Sequence, residues 1–205
     1  MLEFHPNTIS SKGNYKLLSG LIVPRPIAFV TTLSSVNGVV NAAPFSYFNV
    51  ASSEPPILSL SIGRRNGEPK DTARNLLHNR EIVVHLCDER IAEDMNRTAS
   101  SLMADQSELE LTRLTTISSK LVKVPGIAEA LVRLEGRLDR HITIENDLGE
   151  TTTDLFLVRV VYYHVDERVY DSDKGYVLTD QLKPISRLAG NEYARLGERF
   201  ELERP

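Results

Sequence analysis

Apolar and polar positions along most of this chain repeat every second residue, the period of a β-strand rather than a helix. Residues 26 to 33 read PIAFVTTL, rich in β-branched and aromatic residues, and Val36-Asn37-Gly38 supplies a hairpin-type turn into Val39-Val40-Asn41. Pro55-Pro56 fixes an extended lead into the strand Ile57 to Ile62, and 81 to 87 form the next strand. From 131 to 145 the polar positions Arg133, Glu135, Arg137 and Asp139 alternate with the rest, as in a half-exposed strand. The turn Asn146-Asp147-Leu148-Gly149 leads to the same pattern over 151 to 165.

Helical spacing is confined to short stretches. Asn66-Gly67 turns the chain towards a helix over 72 to 78, with Ala73, Leu76 and Leu77 on one face. Asp88 is placed to cap a helix running to about Arg97. Residues 98 to 108 are polar and serine-rich, a loop or flap, and Ser107-x-x-Glu110 has capping-box spacing. Residues 184 to 197 predict an amphipathic helix with Ile185, Leu188 and Leu196 apolar. About seven strands with helices inserted predict a β-rich α+β barrel, because parallel sheets need strands alternating regularly with longer helices. The chain shows no repeat and no low-complexity linker, so 1 to 205 are expected to form a single domain.

Composition narrows the function classes. The 205 residues carry 24 basic and 28 acidic side chains, a net charge of −4 that argues against broad nucleic-acid or anionic-membrane binding. Cys87 is the sole cysteine, which excludes an intrachain disulfide and reads as a buried, inert thiol in the run IVVHLC. The start MLEFHPNTISSK lacks a signal-peptide core, and no window reaches the ~18 apolar residues of a membrane span. A soluble, cytoplasmic protein is expected. Nucleophile-elbow, Walker, dinucleotide-binding and zincin motifs are absent, and His5, His78, His85, His141 and His164 show no metal-ligand spacing. His85 and His164 read as structural, and Glu108 with Glu110 as a solvated acidic face.

Candidate chemistry gathers between 41 and 72. Arg64, Arg65 and Lys70 precede a helix whose start carries Asp71 and Thr72, both able to cap it. Cations are disfavoured at a helix N-terminus unless an anion sits there, and a terminal phosphate would use the cations and free amides together. A plain charged surface loop would carry the same residues. Upstream, Ser46 to Asn49 offer short polar groups for the edge of a planar heterocycle, with Tyr47 or Phe48 packing nearby. Phosphate grip and ring-edge reader together suit a mononucleotide.

The runs NGVVNAAPFSYFNVASSEPPILSLSIG, KDTARNL, EIVVHL, LTTISSKLVKVPGIAEALVRLEGRL and ISRLAGNEYARLGERFELERP follow in order. Together they resemble the flavin-reductase-like family of FMN-binding split barrels, over nearly the whole chain. The resemblance implies a six-stranded antiparallel split β-barrel with inserted helices. It also implies a C-terminal helical arm (184 to 205) at a homodimer interface and one FMN per subunit. Ser46, Phe48 and Asn49, with Tyr47 nearby, would meet the isoalloxazine edge. Ser61, Arg65, Lys70, Asp71 and Thr72 would hold the ribityl-phosphate end, Thr31 would reach the ring or ribityl chain, and Arg25 stands as a further candidate. NADH or NADPH would supply hydride to the flavin, with no protein acid or base required.

The chain departs from the family pattern where many members carry an Asp-His pair followed by glycine. Here Leu155 follows Asp154, and Arg159 stands at the glycine position. Three readings stay open: an NAD(P)H-dependent flavin oxidoreductase serving a partner oxygenase; an FMN-holding carrier fed by an electron donor protein; and a non-flavin anion-binding domain.

Overall fold

The computed structural model describes residues 1–103 and 105–203. In chain order, two-residue strands and 3-10 turns aside, its elements are α1 (Ser11–Leu21), β1 (Ala28–Leu33), β2 (Val40–Phe45), β3 (Phe48–Ser53), β4 (Pro56–Gly63), α2 (Asp71–Asn79), β5 (Glu81–Leu86) and α3 (Ala92–Arg97). There follow β6 (Val132–Glu145), β7 (Thr151–Val165), α4 (Thr179–Leu182), β8 (Ile185–Arg187) and β9 (Tyr193–Arg195).

Among the described residues seven strands form the main sheet, in the order β2-β1-β5-β6-β7-β4-β3. Every neighbouring pair is antiparallel. The two edge strands, β2 and β3, are consecutive in the chain and separated only by Ser46 and Tyr47. A flat sheet of this width would put its edges about 29 Å apart, at ~4.8 Å per strand. Phe45 and Phe48 can be at most about 11 Å apart along the backbone. The sheet must therefore roll up, and the Ser46–Tyr47 link draws its edges together.

Alternation decides what fills the roll. Ala28 and Val30, Leu58, Leu60 and Ile62, Ile82 and Val84, and Phe156, Val158 and Val160 point inward, and α2 adds Ala73 and Leu76. The opposite face of β1 is buried too: Phe29, with Ile27 just before the strand, packs with Ala42, Cys87, Ile91, Met95, Ile127 and Ile185. This explains why the PIAFVTT run is apolar on both faces. Gly136 lies where β6 crosses the core, and a Cβ there would sit 2.4 Å from Val158 Cγ1.

Three expectations are corrected. The main sheet has seven strands, not the six implied by the resemblance. The helix expected over 184 to 197 is instead the β8–β9 hairpin, with Gly190 at φ 56° in its turn; Arg204 and Pro205 of the expected arm lie outside the described residues. Asp88 does not cap α3, whose N-terminal Ile91 has no side-chain cap. It accepts instead from the Arg90 amide at 2.7 Å and from its guanidinium.

Candidate functional site

The strand-to-helix turn after β4 shapes the site. Asn66 (φ 51°) and Gly67 (φ 81°) are both left-handed, as a two-residue hairpin turn demands, and Arg65 and Glu68 exchange backbone bonds across it. The chain then reaches Lys70, the extended N-cap residue of α2, where no side chain caps the helix. The first intrahelical bond runs from the Arg74 amide to the Lys70 carbonyl, so the amides of Asp71, Thr72 and Ala73 form the open helix end. Asp71 and Thr72, expected to cap, are drawn elsewhere: Asp71 pairs with Arg74, and the Thr72 hydroxyl donates to Asn41 Oδ1 at 2.8 Å.

This helix end opens into a cleft of about 340 Å³. One wall is Ala43, Pro44 and Phe45 of β2; the other is residues 98–102 after α3, with Arg65, Lys70, Asp71 and Thr72 at one end. The cations around the turn divide cleanly. Arg64 is consumed by Asp154, with two bonds of 2.9 Å, and Arg74 by Asp71 and the Pro69 carbonyl. Arg65 and Lys70 have no carboxylate partner among the described residues. Burial, then the charge of Arg65, pushes the Lys70 ammonium below its usual value. Two cations without a carboxylate partner thus stand beside open helix amides, with the Lys70 ammonium 6.0 Å from the Phe45 ring centroid.

A buried network backs the cleft. Asn41 Oδ1 accepts from Thr72 and, at 3.3 Å, from Thr32, while Asn41 Nδ2 donates to both Glu108 oxygens at 2.9 and 3.0 Å. The Ala42 amide adds a 3.0 Å bond to Glu108. Glu108, taken as a solvated acid from sequence, is therefore buried against the cleft; burial raises its carboxyl's pKa, and Asp71 adds to the rise against the bonds from Ala42 and Asn41. Glu108 and Asn41 are absent from the candidates drawn from sequence. They are 67 residues apart, and no local spacing relates them.

The cleft thus joins Arg65, Lys70, Asp71 and Thr72 and leaves out the other candidates. Ser46 lines a smaller adjoining cavity. Tyr47 and Asn49 are exposed, with Asn49 Oδ1 accepting from the next amide, while Phe48 packs half-buried on the barrel core. Ser61 donates its amide to the Tyr47 carbonyl at 2.9 Å. Thr31 is fully buried with its hydroxyl on the Pro125 carbonyl at 2.7 Å. Arg25 is buried, its guanidinium donating to the Ser19, Ile22 and Leu188 carbonyls, so it ties α1 to the C-terminal hairpin.

His85, His141 and His164 are each bonded within the fold. His85 is buried and held neutral, its pKa lowered to about 4 by burial, with Nδ1 on the Phe29 carbonyl and Nε2 accepting from Ile127. His164 meets Glu135 at 2.6 Å. His141 lies 2.9 Å from Asp154, so the aspartate has a histidine partner from β6 although Leu155 follows it in sequence. Burial pushes the Cys87 thiol up to about 12, consistent with an inert core position. No group of residues suited to a metal ion occurs among the described residues, and none of their helices is long and apolar enough to cross a membrane.

The chain is thus an antiparallel roll with two cations and an open helix end at its strand-to-helix turn. Residues 19–182 match the flavin reductase like domain, and the chain belongs to that family. It is 47% identical to nitrilotriacetate monooxygenase component B from Bacillus cereus, with a TM-score of 0.95 over 98% of both chains. The 2-nitrobenzoate 2-nitroreductase of Pseudomonas fluorescens shares 30% identity at TM-score 0.88, covering 100% of this chain and 96% of its own. A Shewanella frigidimarina protein with a split barrel domain superposes at TM-score 0.83 over 100% of both chains; at 17% identity this is a likeness of fold alone.

Proposed function

We propose that the chain binds FMN as one domain and acts as an NAD(P)H-dependent flavin oxidoreductase. The observation that carries this reading is the pair Arg65 and Lys70, unpaired beside the open end of α2, in a chain of the flavin reductase like family. The cleft volume of about 340 Å³ falls in the range of small-ligand sites, ~300–1,000 Å³. Arg65, Lys70 and the amides of Asp71 to Ala73 would hold the phosphate, and Pro44 and Phe45 would carry the ring towards Ser46. FMN, when bound, supplies the two-electron chemistry; the protein binds, orients and excludes water. Asn41, itself held by Glu108, keeps Thr72 in place beside it.

Component B of nitrilotriacetate monooxygenase supports a partner oxygenase as the consumer of reduced flavin. Exposed Leu18 and Leu21 of α1, with the neighbouring Ile22, offer surface for a homodimer, in which the C-terminal arm would also take part. A cytoplasmic setting fits such a redox role. The carrier reading, in which another protein supplies the electrons, draws on Leu155 and Arg159 replacing the family's histidine and glycine. Anaerobic titration of the FMN-loaded protein with NADH and NADPH separates the two. Bleaching of the flavin by either supports the reductase; bleaching by dithionite alone supports the carrier and sinks nicotinamide use.

A further inference from the structure

The adjoining cavity has its own chemistry. It measures about 60 Å³ and shares Pro44 and Phe45 with the larger cleft. Ile27 and Met95 make it apolar, and Ser46, Arg187 and Tyr193 complete its lining. Arg187 and Tyr193 face each other across the β8–β9 hairpin, with the guanidinium carbon 4.5 Å from the ring centroid. The Tyr193 hydroxyl donates to Asn96 Oδ1 at 2.8 Å, which fixes the ring, and Arg187 donates to the Gly190 carbonyl.

What the cavity lacks is a negative charge. No carboxylate lines it, and Arg187 forms no ion pair among the described residues. Behind Ser46, at 3.4 Å from its hydroxyl, stands Arg25, whose remaining partners are carbonyls. A guanidinium has five N–H donors in a planar fork, and the Gly190 carbonyl accounts for the one Arg187 bond in place. The remaining donors match a carboxylate, and the apolar lining matches the edge of a flat ring.

We propose that this cavity, with the adjoining face of Phe45, seats a flat aromatic carboxylate as second substrate, the carboxylate against Arg187. The carboxylate and leading ring edge enter the cavity, while the rest of the ring projects into the main cleft to face the flavin ring that lies on Pro44 and Phe45. The proposal rests on the flavin reading, which places the cofactor's ring at Pro44 and Phe45. It makes Arg187 a specificity-determining residue, separate from the phosphate grip at Lys70.

The test compares benzoate with benzamide, identical in shape but differing in charge, by ligand-observed NMR on FMN-free and FMN-loaded protein. Benzoate is expected to bind about 10-fold tighter, the size of one charge-assisted contact. Arg187→Gln should erase that preference and Arg187→Lys keep part of it, with FMN affinity unchanged in both and the melting temperature lowered only by the lost Gly190 bond and Tyr193 contact. Tyr193→Leu should weaken both probes alike and keep their ratio. Equal binding of the two probes, or a preference that survives in Arg187→Gln, overturns the proposal. A wild-type protein that takes no FMN sinks the flavin reading separately, since the benzoate preference is still read on the empty protein.

Discussion

Replacing Lys70 by methionine removes the charge at the phosphate end of the cleft while keeping most of the side-chain volume. In the empty protein Lys70 has no ion pair, and its ammonium is held below its usual pKa by burial and by Arg65. A phosphate oxygen 4 Å away would gain about 4 kcal/mol of Coulomb energy at an effective dielectric of ~20. Desolvation of both ions returns part of this, leaving the ~1.5–3 kcal/mol typical of a charge-assisted bond. Lys70→Met should therefore weaken FMN by about 10–100-fold. Riboflavin, identical but for the phosphate, should lose little, and Lys70→Glu should widen the gap. Titration of flavin fluorescence with each ligand reads both affinities. Because the variant relieves repulsion with Arg65, the empty protein should melt no lower than wild type. Equal losses for FMN and riboflavin, or no loss for either, would refute a phosphate at Lys70.

Other perturbations test the frame that holds the site. Burial opposes ionisation of Asp154, but the bonds and charges of Arg64 and His141 outweigh it and hold its pKa below the usual value. Asp154→Asn should cost about 2 kcal/mol in urea denaturation at neutral pH, less than the ~3–5 of a fully buried pair because Arg64 and His141 reach solvent. A depressed carboxylate stabilises above its unfolded pKa, so the gap to wild type should close as pH falls from about 4 through the lower folded value. A deficit that persists in acid would point to packing. Gly136→Ala should cost about 1–3 kcal/mol, because its Cβ would lie 2.4 Å from Val158 Cγ1 and 3.0 Å from Ile82 Cγ2. Gly63→Ala, with nothing within 4 Å, should stay within about 0.5 kcal/mol in the same assay. Glu135 accepts from the Lys120, Leu121 and Val122 amides at 2.6, 2.7 and 3.2 Å and from His164, so Glu135→Gln should speed hydrogen exchange at those amides and leave α2 unchanged. Unchanged exchange there would remove Glu135 as the clamp of that loop.

What the sequence discloses follows from the range of the interactions involved. The long strands β6 and β7 are legible because alternation is local and one face meets water. The turn at Asn66-Gly67 is legible because its residues are the ones that tolerate left-handed backbone. Arg65, Lys70 and Thr72 sit within eight positions of one another and share a single turn, so their convergence needs no distant partner. The C-terminal segment misleads because Ile185, Leu188 and Leu196 suit a helix equally well. The Ile185 amide bonds to the Cys87 carbonyl, and Arg25 and Pro26 pair with Arg187 and Ser186; both partners are remote, and together they select the strand. Glu108 is hidden for the same reason, since only the fold brings it to Asn41. The ring-edge group is legible as a polar segment, yet alternation turns Phe48 inward and Tyr47 and Asn49 outward.

The most direct test of the account is equilibrium titration of the purified protein with FMN, followed by visible absorbance. It predicts saturable binding of one FMN per chain, with riboflavin bound more weakly by the phosphate's contribution. A protein that shows no saturable FMN binding, or holds riboflavin as tightly as FMN, would contradict the claim that Arg65, Lys70 and the open end of α2 form a flavin-phosphate site.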